Sequence, residues 1–255
     1  MRSIWNGTIS FGLVSIAVKL HSAIQESALE LELLDSRDEA KIRFLRVNEK
    51  TQQEVPNEYI VKGYRLNDEY VLLDDQDFAD AAPEKSKSID IENFVKLAEI
   101  NPMLFETSYY AAPSKAGQKA YLLLLEALKK SKMAGLGQFV LRQKAHLCVI
   151  YALDEVIVIS RIRFAQELRN SSEVHVDHDI NLQKKEMDLA MALINQYTTD
   201  FDVEEYKDTY TDDLLKIIKA KAKGKQPTIK KLTHPKPQSD DLYEQLMESL
   251  NKKGA

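Results

Sequence analysis

Apolar positions alternate with a strand-like period through the N-terminal and central parts of this chain and switch to a helical period toward the C-terminus. In residues 3–20, β-branched and aromatic side chains dominate, and no acid interrupts them. The pattern predicts a buried strand that begins almost at residue 1. It lacks the basic start and unbroken apolar core of a secretory signal, so the chain is expected to begin inside its fold. Residues 41–47 (KIRFLRV) alternate with both faces partly apolar, and a polar turn follows at 48–53. Strands are predicted at 59–65, 70–73, 88–95 and 108–112. Asn101-Pro102 punctuates the last two, because a residue before proline avoids helix.

Ser114 is a candidate cap for a helix over 115–133, in which Tyr121, Leu124, Leu125 and Leu128 form one buried face. Gly135 and Gly137 are expected to stop it. Residues 139–151 and 156–164 then read as a long hairpin. A turn at Asp154-Glu155 pairs Cys148 with Arg161 and His146 with Arg163. Alternation then puts Arg142, Lys144 and His146 on the face of Arg161 and Arg163, opposite Phe139, Leu141, Ala145, Leu147, Val149, Ile162 and Phe164. That sheet would offer phosphate one cationic face, an inference that a one-residue slip would break.

Helices return after Asn181. Leu182, Met187, Ala190, Leu193, Ile194 and Tyr197 form one stripe; Val203, Tyr206, Tyr210, Leu214, Ile217 and Ile218 form a second, with Asp200 or Asp202 as its cap. Glycine, prolines and lysines then mark a linker. From Ser239 a short amphipathic helix follows, with acids in its first turn and lysines in its last. The resulting division is 1–218 as core, 219–238 as a lysine-rich linker and 239–255 as a terminal partner-binding helix.

Composition narrows the function classes. The single cysteine, Cys148, excludes an intrachain disulfide and a cysteine-based zinc site. No apolar run approaches the ~18 residues of a membrane span, so a soluble cytoplasmic protein is expected. The net charge of −5 argues mildly against nucleic acid, but a DNA binder needs only a local positive surface. The charges are segregated: seven acids and no base over 68–84, seven bases against Glu126 over 114–146, and eight lysines with no acid over 216–236.

Several stretches together resemble the bacterial Ku family. They are Arg2-Ser3-Ile4-Trp5 with Ile9-Ser10-Phe11-Gly12-Leu13-Val14; Glu54-Val55-Pro56 with Ile60-Val61-Lys62-Gly63-Tyr64; Phe105-Glu106-Thr107-Ser108-Tyr109-Tyr110; Lys119-Ala120-Tyr121-Leu122-Leu123-Leu124; Phe139-Val140-Leu141-Arg142; Phe201 with Tyr206, Asp208 and Tyr210; and the terminal Asp240-Asp241-Leu242-Tyr243-Glu244-Gln245-Leu246-Met247. No piece is a catalytic signature; their order and coverage make the match specific. The resemblance implies an α+β fold: a Ku-type β-barrel core with extended arms that form a dimeric ring, and a helical C-terminal part. It implies sequence-independent binding of double-stranded DNA ends by a homodimer in the nucleoid. It also implies recruitment of a dedicated ATP-dependent DNA ligase for non-homologous end joining. Relatives with a cysteine pair near 48–53 would hold a zinc-ribbon-like element there, which this sequence cannot.

On this reading the candidate DNA-binding residues are Arg43, Arg46, Lys62, Arg65, Lys115, Lys119, Arg142, Lys144, Arg161 and Arg163, with Lys219, Lys221, Lys223, Lys225, Lys230 and Lys231 in the tail. The candidate ligase-binding residues are Leu242, Tyr243, Leu246, Met247 and Leu250. No cofactor, metal or catalytic residue is expected. His175-Val176-Asp177-His178-Asp179 reads as a polar loop or edge strand. The enzymatic alternative is a secondary Schiff-base lyase activity at abasic sites, which needs a lysine of depressed pKa. A protein-interaction module without DNA contact is the second rival.

Overall fold

The computed structural model describes residues 1–25, 27–82, 87–141, 144–225 and 241–252. The chain divides into two compact units, Met1–Glu26 with Leu31–Asn170, and Ser27–Glu30 with Ser171–Ala255.

In the first unit, seven strands close into a barrel. β1 (Ser3–Phe11) and β2 (Val14–Ser22) form the opening hairpin. β3 (Lys62–Leu66) and β4 (Glu69–Leu73) pair only with each other, outside the barrel. β5 (Ser88–Lys96), β6 (Phe105–Pro113), β7 (Met133–Leu141), β8 (Lys144–Leu153) and β9 (Val156–Ile162) complete it in the order β1-β2-β6-β9-β8-β7-β5. The parallel pairing of β1 with β5 closes the ring, and closure removes the exposed sheet edges that would otherwise recruit other strands.

The opening stretch is two strands, not the single strand expected. Gly12, at a φ of +55°, begins a two-residue turn between the paired Phe11 and Val14. Glycine accepts that left-handed backbone without strain, and a two-residue turn of this kind matches strand twist. The predicted strand at 41–47 is absent: Leu34–Lys41 and Val47–Glu54 make only isolated bridges. The acidic stretch contains an unforeseen helix, α1 (Asp75–Ala81). Its cap is Asp74, whose carboxylate accepts from the Asp77 amide while the Asp77 side chain accepts from the Asp74 amide.

Ile9, Ile16, Val18, Leu20, Ile89, Tyr109, Ala111, Phe139, Cys148, Ile150, Ile157 and Ile159 fill the barrel. Helix α2 (Gln118–Ser131) packs on β2, β7 and β8, and its Tyr121, Leu124, Leu125 and Leu128 join the same core, as the periodicity predicts. Ser114 does accept a hydrogen bond, from the Gly117 amide, but it opens a 3-10 turn at Lys115–Gly117 that leads into α2. The helix is stopped by Lys132 in the left-handed region, not by Gly135 and Gly137. Those two glycines lie within β7, where β5 crosses closely. A Cβ on Gly137 would stand 2.4 Å from the Asp90 carbonyl oxygen, and one on Gly135 would stand 2.9 Å from an Ile91 methyl.

The second unit is helical. α3 (Lys184–Tyr197), α4 (Thr209–Lys221) and α5 (Leu242–Lys252) carry most of the predicted stripes, but Leu182 precedes α3 and Val203 and Tyr206 precede α4; α5 packs against α3. The cap of α4 is Asp208, which accepts from the Tyr210 and Thr211 amides; Asp202 instead caps a 3-10 turn at Val203–Glu205. Residues 174–180 form neither helix nor strand. Among the described residues no helix is long and apolar enough to cross a membrane.

Candidate nucleic-acid interface

The β8–β9 hairpin sets the cationic side chains. Its two-residue turn falls at Asp154-Glu155, with Leu153 paired to Val156, Cys148 to Arg161 and Leu147 to Ile162, the register expected from sequence. Asp154 takes a positive φ of 48°, which aspartate tolerates better than most residues.

The expected face assignment survives in part: Lys144, His146 and Arg161 share one face and Leu147, Val149 and Ile162 the other, but Phe139 and Leu141 lie with the first set. Residues 139–151 are not one strand: β7 ends at Leu141, β8 begins at Lys144, and Phe139 pairs with His146. Directly paired residues share a face, so Phe139 and Leu141 lie on the side of His146 and Lys144. That side is the barrel interior, continuous with Cys148 and Ile150. The outer face of the same strands is also covered, with Val149 and Ile162 packed under Leu97, Ile100, Leu104 and Phe105. The cations therefore sit at a barrel mouth instead of on an open cationic sheet.

At that mouth Arg161 Nη2 donates to Glu106 Oε2 at 2.9 Å, and Arg163 lies 3.8 Å from the same carboxylate. Arg163 also donates to the Met103 and Phe105 carbonyls, which pins the start of β6. Burial first, then the Arg161 and Lys144 charges, hold the His146 imidazole below its ordinary range. Glu106 was not singled out by sequence reading; an acid in the otherwise uncharged run of β6 was the available signal.

The other candidates are dispersed. Arg43 is exposed. Arg46 donates to Asn57 Oδ1 at 2.6 Å. On β3, Lys62 lies 4.3 Å from the Phe78 ring centroid, and Arg65 pairs with Asp68 at 2.6 Å. Lys115 is in the 3-10 turn before α2, and Lys119 is in the first turn of α2. Lys219 and Lys221 belong to the last turn of α4, and Lys223 and Lys225 follow it, exposed. Arg142, Lys230 and Lys231 lie outside the described residues. On α5, Leu242, Tyr243 and Met247 are exposed, while Leu246 and Leu250 are half-buried.

Comparison with known proteins places this geometry. Residues 10–189 match the model of the Ku family described as the Ku70/Ku80 beta-barrel domain. A Non-homologous end joining protein Ku from Opitutus terrae is 38% identical over 259 residues, spanning 100% of this chain and 93% of the relative. One from Coxiella burnetii is 38% identical over 236 residues, covering 90% and 86% of the two chains. One from Bacillus subtilis is 34% identical over 257 residues, covering 99% and 82%. With a family model laid over the closed barrel and relatives matching nearly end to end, the chain belongs to the Ku family.

Proposed function

We propose that the protein binds the ends of double-stranded DNA as a homodimeric ring, without sequence preference, and acts in non-homologous end joining. The match of the Ku barrel over residues 10–189 carries this reading. Sequence-independent binding rests on phosphate contacts from Lys and Arg, and a ring adds retention by topology. Positive charge inside a bore with acids facing solvent reconciles the net charge of −5 with DNA binding. The work site would be the cytoplasmic nucleoid, and the role that of a non-enzymatic scaffold. Its partner would be an ATP-dependent end-joining ligase, met by the exposed Leu242, Tyr243 and Met247 of α5. The lysine-rich segment from Lys219 would supply further phosphate contacts.

A Schiff-base lyase role draws no support from the two lysines with displaced pKa values. Lys129 and Lys216 are held upward, by hydrogen bonds to Glu155 and Asp213, opposite to the shift that imine chemistry needs. The binding test is retention on linear duplex with free ends against the same duplex with both ends blocked by bulky adducts. Stable, salt-sensitive retention on open DNA alone is expected. Equal retention on both would refute threading.

A further inference from the structure

Between the ends of β7 and β8 and the neighbouring β1, β6 and β9 lies a half-open recess of about 370 Å³, lined by Ile4, Tyr109, Leu141, Lys144, His146 and Arg161. Three of these are basic, and they come from adjacent strands on the interior side of the barrel. The apolar liners limit water on the remaining walls. Phe139 packs against His146, with ring centroids 5.9 Å apart, and Trp5 packs edge-on against Phe139.

The charge there is unbalanced. Arg161 and Arg163 share one carboxylate, Glu106, which engages Arg161 through its terminal Nη2, and Lys144 adds a further positive charge to the recess lining. Arg161 Nε is buried and has no hydrogen-bond partner. A charged donor closed to solvent and without an acceptor is costly, and a small shift of the guanidinium toward the recess would let an anion there satisfy it. His146 adds a second ring nitrogen donor once protonated. The charged groups around it are Lys144 on its own strand, Arg161 on β9 and Glu106 on β6, and their balance is positive.

We propose that this recess binds a single tetrahedral oxyanion of the phosphate type, with oxygens accepting from Arg161 Nε and Lys144 Nζ and with His146 recruited as imidazolium. The space suits it: a water takes about 30 Å³ in the liquid, so a phosphate fits with part of its hydration. The same chemistry serves free inorganic phosphate or the terminal phosphate of a nucleic acid. The site stands on the barrel geometry and does not depend on the end-binding reading.

The experiment is an NMR titration of the His146 imidazole in the full-length protein at constant ionic strength, its signal assigned with His146→Gln. Inorganic phosphate, replacing chloride, is expected to raise the apparent His146 pKa by about one unit. Lys144→Gln, at an exposed position that folding tolerates, should weaken the phosphate response about tenfold, and Arg161→Gln should abolish it. Glu106→Gln should strengthen it, an effect that a merely structural ion pair would not produce. Short duplexes with a 5′-phosphate or a 5′-hydroxyl identify the source. A response to the phosphorylated duplex alone assigns the site to a DNA terminus. Equal duplex behaviour with a response to inorganic phosphate assigns it to a free oxyanion. No movement of His146 with either probe overturns the proposal.

Discussion

Tyr121 shows how one polar atom can lock a helix to a barrel. Its buried hydroxyl donates to the Ala111 carbonyl at 2.7 Å and accepts from the Ile157 amide at 2.8 Å, linking α2 to β6 and β9 at once. Tyr121→Phe keeps the ring and strands both partners, so it should cost about 1–3 kcal/mol in urea unfolding; an unchanged midpoint would mean that water replaces the hydroxyl. His146 gives a pH dependence whose sign follows from its cause. Burial and two cations lower its folded pKa, so the unfolded chain takes up the proton first. The His146 contribution is therefore complete above its ordinary value of 6.5 and is lost as pH falls below it. Relative to His146→Gln, wild-type stability should decline below that pH in phosphate-free buffer. A difference that stays flat would contradict the depressed imidazole. Cys148, the only cysteine, is pushed up to about 12, first by burial and then by the Glu92 charge, and it packs as a small apolar group.

Elements show where patterning is legible. The β8–β9 register was readable because the Asp154-Glu155 turn interrupts two apolar runs. The end of β7 at Leu141 and the start of β8 at Lys144 were not, because the sequence between them, Arg-Gln, carries no glycine, proline or asparagine signal inside a run of strand formers. That missed break reversed the face of Phe139 and Leu141, so that apolar side chains share the face of Lys144, His146 and Arg161, as a one-residue slip would make them do. Gly135 and Gly137 read as helix terminators because glycine also marks close strand approach, and only the β5 crossing distinguishes the two uses. The distinction is testable. Gly137→Ala drives a methyl into backbone at Asp90, whereas at Gly135 the obstacle is the Ile91 side chain, which can repack. Gly137→Ala should thus destabilise the protein by about 1–3 kcal/mol and Gly135→Ala by less; the reverse order would mean that β5 moves more easily than Ile91 repacks. For the C-terminal helix, truncation after residue 238 should leave DNA retention intact and remove ligase stimulation. Truncation after 218 should weaken both, because only the second removes the lysines. If the first truncation spared stimulation, the packing of α5 against α3 would be its whole role.

At the scale of the molecule, the chain carries more apolar surface than a monomer should expose. In the segment between β2 and β5, Phe44 is 83% exposed and Tyr70 70%, beside Leu45, Val61, Tyr64 and Leu72. The helices of the second unit expose Met187, Ile194, Tyr197 and Tyr210, and among the described residues α3 and α4 bury none of their side chains. The sequence revealed these stripes by their period, but nothing in a period tells whether the covering surface lies in the same chain. Soluble monomers seldom leave patches beyond a few hundred Å² uncovered, and obligate homodimers bury roughly 2,000 Å² or more. On the proposed reading a second copy would cover that surface, as ring closure requires. Substituting Phe44, Val61, Tyr64 and Leu72 together by glutamate should give a monomer by sedimentation equilibrium. The barrel should keep its near-UV circular dichroism, because none of the four belongs to its core. The monomer should bind short duplex weakly through phosphate contacts yet lose the difference between open and blocked ends, since topology rather than charge provides that difference. A variant that remained dimeric would place the interface elsewhere. A monomer that still distinguished open from blocked ends would show that end selectivity needs no ring.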